Sequence, residues 1–438
     1  MANHEQTQQS VADTAPRIIE AGPGLAQGLR DLPAALTPKA ISAGVVAAIF
    51  GCSGPALIVI NTAEGGGLSN GQTVAWLLSI YFIGGLISLF MALRYKMPIT
   101  GAWSIPGAAI MATALATFSF PEAVGAFIMA GVLVLLLGIS KQIGRVMRWI
   151  PMPIVMAMIA GALIRFGVGA VESVDAAPII GGLAALAFFL TMRFMSKVPP
   201  VLAALVVGLV AALATGSIQL GEADIAFTAP VFTAPVFSTG AFFAISIPLA
   251  ALVIGAENAQ AAGVLMAERY DAPVNAMTTV SGVGGIIAGA LGGHNANIAG
   301  PMTAICSSDQ AGDDTRTRYG ATVVNGVLFA AFGLLAGVAV PVVLALPSEL
   351  IGVVAGLAMI SVLLTAFQQG FSKRLDYQIG AFVALVVAMS SFSLFNISSP
   401  FWALVFGVVV SLLVEQSAFR KRGSSRESVT VAEGASGD

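Results

Sequence analysis

A carboxylate inside a long apolar run is the first residue of this sequence able to do chemistry. Glu257, in Ile254-Gly255-Ala256-Glu257-Asn258-Ala259-Gln260, is the only acidic residue deep within a predicted apolar helix. Ionising an isolated carboxyl group there is costly, so it is expected to pass part of any working cycle protonated, which suits a proton carrier. The plainer reading is a carboxylic acid that packs helices by bonding a neighbouring carbonyl. Asn258 and Gln260 lie beside it, and only Gln260, three residues on, approaches the same helical face. Both are candidate ligand contacts, with polar packing between helices as the alternative.

Two further stretches break their apolar surroundings. One runs Pro98-Ile99-Thr100-Gly101-Ala102-Trp103-Ser104-Ile105-Pro106-Gly107, the other Gly292-Gly293-His294-Asn295-Ala296-Asn297-Ile298-Ala299-Gly300-Pro301-Met302-Thr303. In each, a short segment suited to extended backbone meets a proline, tolerated in the first turn of a helix, and an apolar half-helix follows. Irregular backbone at membrane depth survives only where protein or a water-filled cavity satisfies it, so these breaks point to a binding site. The half-helix starts, Ser104, Ile105 and Gly107 in one and Gly300 and Thr303 in the other, are expected to offer unpaired N–H groups that bind an anion without a basic side chain. Asn295 and Asn297 are candidates for satisfying loose backbone and ligand together. His294 is a proton relay or a local cap of the break. Trp103 either stacks on an aromatic ligand or packs the interior. Ser53, in Gly51-Cys52-Ser53-Gly54-Pro55, marks a further weak point. Arg165 has two readings: a side chain that snorkels to the surface or joins a structural ion pair, and a counter-ion for an anionic substrate.

The elements that hold these residues must be membrane helices. Of 438 residues, 57% are hydrophobic and 10% charged, with a mean hydropathy of +0.91; soluble domains carry roughly 25% charged residues. A crossing needs about 20 apolar residues, which gives fourteen segments at about 40–60, 73–93, 98–117, 122–140, 149–170, 178–194, 198–216, 239–266, 273–291, 293–308, 318–339, 349–368, 376–395 and 399–418. With both termini cytoplasmic, the inner loops and tails hold 19 of the 20 Lys and Arg residues, Arg165 being the exception, while Glu64, Glu122, Glu172, Asp175, Glu222, Asp224 and Glu349 fall outside. Residues 1–39 and 419–438 are read as cytoplasmic tails, the first flexible to about Ala35 and mildly amphipathic from Gly24. The polar linker 217–238, with its tandem Thr-Ala-Pro-Val-Phe, separates seven segments (40–216) from seven (239–418). An odd number per half forces opposite insertion, so the expectation is an all-α protein built as an inverted repeat with segments 3 and 10 interrupted. Cys52 and Cys306 are read as free thiols, and no clustered His, Asp, Glu or Cys supports a metal site or an enzyme. No nucleic-acid site is visible.

From about Ala40 to Ala418 the sequence resembles the bacterial benzoate/proton symporters, or benzoate membrane transport proteins. The resemblance rests on Pro98 to Gly107, on Gly255-Ala256-Glu257-Asn258, and on Gly293-His294-Asn295 through Ala304-Ile305-Cys306. The family looks like a relative of the uracil and xanthine permeases and of sulfate-type anion exchangers. That implies a core domain (segments 1–4 and 8–11) moving against a gate domain (5–7 and 12–14), commonly as a homodimer through the gate, in the bacterial inner membrane. In the nucleobase permeases an acid in segment 8 binds substrate, and Glu257 sits at a similar place. Where those permeases commonly carry a second acid after the segment 10 break, this chain has Gly300-Pro301; a nucleobase offers N–H groups that such an acid would accept, whereas a carboxylate needs donors, which the half-helix starts are expected to supply. The expected function is proton-coupled import of benzoate or a similar aromatic carboxylate, with protons as coupling ion and no other cofactor. Import of a nucleobase, exchange of an inorganic anion and a channel are the alternatives.

Overall fold

The computed structural model describes residues 19–52, 54–142, 151–195, 198, 200–218, 227–344, 346–372, 376–390, 392, 394 and 399–418. Short α1 (Leu25–Ala35) precedes α2 (Pro38–Cys52), α3 (Gly54–Gly65) and α4 (Asn70–Tyr95). The first break follows as a two-residue strand, β1 (Gly101–Ala102), and half-helix α5 (Ile105–Ala114). Next come α6 (Phe120–Ser140), α7 (Met152–Ala176), α8 (Pro178–Phe194), α9 (Pro200–Ala214) and the long α10 (Thr239–Met266). Beyond α11 (Val274–Ala290), the second break is β2 (Asn297–Ile298) with half-helix α12 (Gly300–Ser307). The chain closes with α13 (Tyr319–Leu334), α14 (Ala336–Leu344), α15 (Ser348–Ala358), α16 (Ile360–Phe371), α17 (Gln378–Met389) and α18 (Ser399–Val414).

Among the described residues, five helices are long and apolar enough to cross a membrane. The remaining apolar segments hold shorter helices, and two differ from the expected single span. The segment at 318–339 is divided after Leu334, and that at 349–368 is interrupted at Met359, where the Met359 N–H bonds three residues back to Gly356. Such tightened turns leave the apolar pattern unchanged, so hydropathy does not reveal them. Sequence periodicity is equally blind to the two π-helical turns of α10, at Phe242–Ser246 and Val253–Asn258.

Two tight helix pairs frame the breaks. α6 packs along α11 and α4 along α13, with glycines where the backbones touch: a Cβ on Gly131 would strike the backbone of Gly285 and Ile286, and one on Gly85 that of Gly326 and Ala330. α4 and α6 start alike. Ser69 and Gln72 cap each other's backbone N–H groups, and the Glu122 carboxylate accepts from the Ser119 N–H (2.9 Å). The tandem pentapeptide of the linker docks on both starts, through Val231 N–H to the Gly71 carbonyl and Val236 N–H to the Pro121 carbonyl (2.8 and 2.9 Å). A second group joins α7 to α15, α16 and α17, α8 to α9, and α17 to α18.

The N-terminal tail is more ordered than expected. From Ile19 onward it is docked, with the Glu20 carboxylate capping α11 by accepting from the Asn275 and Ala276 N–H groups (2.9 and 2.8 Å). In α1, Gly28 lies against the Leu93 backbone while Leu25 and Leu29 stay exposed, the division expected of an interfacial helix.

Candidate functional site

A strand pair and four further hydrogen bonds fasten the breaks together. β1 pairs with β2 antiparallel, Gly101 opposite Ile298 and Ala102 opposite Asn297. The Ala299 N–H donates to the Thr100 carbonyl (2.9 Å), the Thr100 N–H to Thr303 Oγ1 (3.1 Å), and the Ser104 N–H to Asn295 Oδ1 (3.1 Å). His294 supplies the fourth tie. Trp76 Nε1–H donates to His294 Nδ1 (2.9 Å), and because indole only donates, Nδ1 bears the lone pair; Nε2 therefore carries the hydrogen and donates to the Ser104 carbonyl (2.9 Å). The ring is wholly buried, edge-on to Trp103 at 5.5 Å. Both nitrogens are thus occupied in the neutral tautomer, an arrangement that favours the local cap over the relay, because protonating Nδ1 would break the bond from Trp76.

Glu257 lies in the second π-helical turn of α10, 6% exposed. The extra residue in such a turn re-aims its side chains, and π turns gather at functional sites. Its Oε2 accepts from the Gly300 N–H at 3.5 Å, and the Ser104 hydroxyl also reaches the carboxylate. Ser104 is therefore the hub of the site. Its N–H, carbonyl and hydroxyl are all engaged, the hydroxyl also accepting from the Gly107 N–H (3.1 Å) as the N-cap of α5.

A cavity of about 150 Å³ opens in front of Glu257. Trp103, Ile105 and Pro106 line it from the first break, Ala299, Pro301 and Met302 from the second, and Glu257 and Gln260 from α10. Met156 and Ile159 of α7 and Thr365 of α16 form the far wall. Gln260 presses on Gly300, where a Cβ would meet its Oε1 at 2.5 Å. The lining is apolar apart from one carboxyl, one amide and one hydroxyl, and an apolar cavity of about 150 Å³ can hold a benzene ring. Chemically, the site suits a small ring carrying one polar group.

Several expected contacts lie elsewhere. Asn258, a residue on from Glu257, points to α11, where it accepts from Ser281 Oγ (3.0 Å) and donates to Thr278 Oγ1 (3.4 Å). Gly107 packs against Leu249 and the His294 ring. Asn295, Asn297 and Thr303 are buried in the frame behind the cavity, with Asn295 Nδ2 and Asn297 Oδ1 lacking a partner among the described residues. The two half-helix starts, both expected to offer unpaired N–H groups, differ in partner: the Ser104 hydroxyl takes the Gly107 N–H of the first, and the Glu257 carboxylate the Gly300 N–H of the second. Ser53 falls outside the described residues. Arg165 is exposed; its Nη2 donates to the Ala109 carbonyl of α5 (2.8 Å), and it lines a second cavity. Trp76, Met156, Ile159 and Thr365 were not singled out from sequence, where each looks like one more residue of a membrane helix. A tryptophan in mid-helix was the only signal available.

The family model BenE, benzoate membrane transport protein, matches residues 34–413. The inner membrane protein YdcO of Escherichia coli (strain K12) is 30% identical over 387 residues, covering 88% of this chain and 98% of that protein. The benzoate membrane transport protein of Acinetobacter baylyi is 26% identical over 376 residues, covering 86% of this chain and 95% of its own. Among solved structures, the transmembrane domain of the cyanobacterial bicarbonate transporter BicA matches with a TM-score of 0.57 at 14% identity, covering 85% of this chain and 97% of that domain. At that identity the likeness concerns the fold alone. The family and this structural neighbour are membrane transporters, not enzymes.

Proposed function

The chain belongs to the benzoate membrane transport protein family, and from that premise we propose that it imports benzoate or a similar aromatic carboxylate together with a proton, by alternating access. One observation carries the reading: the open start of α12, Glu257 and Trp103 meet at a single cavity of about 150 Å³. The substrate carboxylate takes the Gly300 N–H in place of Glu257, and its ring lies against Trp103, Ile105 and Met302. Two carboxylates on one donor cannot both stay ionised, so arrival of the anion drives Glu257 to hold a proton. One anion and one proton then move together without net charge, and the inward proton gradient drives accumulation. Trp76 and His294 hold the frame rather than relay the proton.

Around this site the chain forms fourteen segments in two inverted repeats, 40–216 and 239–418, joined by the linker 217–238, with tails 1–39 and 419–438 in the cytoplasm of a bacterium. Helix pairing supports the repeat. Shifting each segment by seven turns the α6–α11 pair into α13–α4 and the α8–α9 pair into α17–α18, and carries β1–α5 onto β2–α12. The core domain is then α2–α6 with α10–α13 and the gate α7–α9 with α15–α18, dimerising through the gate in the inner membrane. The cavity lies between the two.

Uptake of labelled benzoate into proteoliposomes, with and without an imposed inward proton gradient, tests the reading. The expected result is gradient-driven accumulation that unlabelled benzoate blocks and uracil or sulfate does not. Gradient-independent equilibration, or uptake of uracil or sulfate in place of benzoate, would overturn it.

A further inference from the structure

The second cavity, of about 520 Å³, shares α5 and α7 with the first as walls, and a hydrogen bond from Arg165 of α7 to Ala109 of α5 joins those walls. Along α5, Ile105 and Pro106 line the Glu257 cavity and Ala112 lines the second, while Ala109, between them, accepts from Arg165. Along α7 the order repeats: Ile159 faces the Glu257 cavity, Gly169 and Glu172 the second, and Arg165 stands between. On the proposed topology the second cavity lies toward the outside, because α7 runs outward from the basic inner loop.

Arg165 is chemically unfinished here. One N–H goes to the Ala109 carbonyl, and among the described residues no carboxylate forms an ion pair with it, although Glu172 and Glu349 line the same cavity. Arg165 is exposed to the cavity it lines, and a guanidinium carries five donors in a planar fork suited to a carboxylate, so the donors not used on Ala109 can take one. Among the described lining residues Arg165 is the one cation, so a carboxylate entering the cavity binds at the arginine, against the repulsion of Glu172 and Glu349.

We propose that this cavity is an outer capture site for the carboxylate substrate, anchored by Arg165, whose bond to Ala109 partitions it from the Glu257 cavity. An arriving carboxylate takes the guanidinium fork and draws Arg165 from Ala109. The partition between α5 and α7 then loosens, so capture and opening of the inward path are one event. The inference rests on the carboxylate-import reading above.

A thiol placed in the cavity reports on occupancy. A Cβ at Gly169 meets nothing within 4 Å, so Gly169→Cys fits in the full-length protein, with the unsubstituted chain controlling for Cys52 and Cys306. The rate of modification by a small charged methanethiosulfonate is measured against benzoate concentration. Benzoate should slow the reaction, and Arg165→Gln should raise the half-protecting concentration about tenfold or more, the loss expected for a charge-assisted bond. Arg165→Lys, which keeps the charge without the fork, should raise it less and decides the matter if Arg165→Gln does not fold. In Glu257→Gln the protection should persist. Equal protection with and without Arg165, no protection at any soluble benzoate concentration, or loss of protection in Glu257→Gln would each overturn the proposal. Failure of the import reading appears separately, as absent benzoate uptake by the unsubstituted protein.

Discussion

The two breaks share a plan and differ in one atom's worth of chemistry. Each has a two-residue strand, extended backbone at the N-cap and a proline in the first turn of an apolar half-helix. At α5 the N-cap is Ser104, whose hydroxyl accepts from the Gly107 N–H and so caps the third residue of the helix. At α12 the N-cap is Ala299, which has no side chain to offer, and the Gly300 N–H turns instead to Glu257 at the long distance of 3.5 Å. A finished cap fixes structure, whereas a helix start served by a remote carboxylate can exchange that partner for another anion. Where a repeated design departs from its own symmetry, the moving ligand has a place to go.

The comparison breaks most completely if the shared frame fails. His294→Ala would leave the Trp76 Nε1–H unpaired and the Ser104 carbonyl with only the Ala108 N–H, beside a new void, at a cost of about 3–5 kcal/mol. Folded yield in detergent should fall sharply. Trp76→Phe, which removes only the donor to Nδ1, should lower thermal stability by about 1–3 kcal/mol. It should leave the pH profile of uptake unmoved; a shifted profile would restore His294 to the proton path.

Gly300→Ala acts at the open start alone. Its methyl group must displace the Gln260 side chain, a flexible neighbour, so the protein should fold. Benzoate binding should weaken by about tenfold, ~1.4 kcal/mol, in a direct titration. The smallest effects come from exchanging the caps. Ser104→Ala should cost about 1 kcal/mol of thermal stability. Ala299→Ser, placed where the backbone is already extended, should gain a few tenths of that by capping the Met302 N–H and leave benzoate binding at the Gly300 N–H little changed in a direct titration.

Much of this asymmetry is legible in the sequence and some is not. Gly, Pro, Asn and His inside apolar runs announce both breaks, because no uninterrupted membrane helix tolerates them together. Glu257 announces itself by its isolation, and Gln260 follows from helical spacing. Asn258 misleads because neighbours on a helix face different directions. The role of His294 depends on Trp76, 218 residues away, and a distant partner leaves no local signature. Arg165 reads as a shallow charge near a helix end until α5 supplies the carbonyl it bonds. The π-helical turn beneath Glu257 is silent too, since one extra residue in a turn leaves an apolar helix looking the same.

Proton coupling through Glu257 is the central claim, and Glu257→Gln tests it most directly. Glutamine keeps the size and an acceptor oxygen for the Gly300 N–H but cannot release a proton. In proteoliposomes carrying an inward proton gradient, the unsubstituted protein should concentrate labelled benzoate with one proton entering per anion. Glu257→Gln should still exchange internal for external benzoate while failing to concentrate it. Accumulation by Glu257→Gln against a benzoate gradient, driven by protons, would contradict the account.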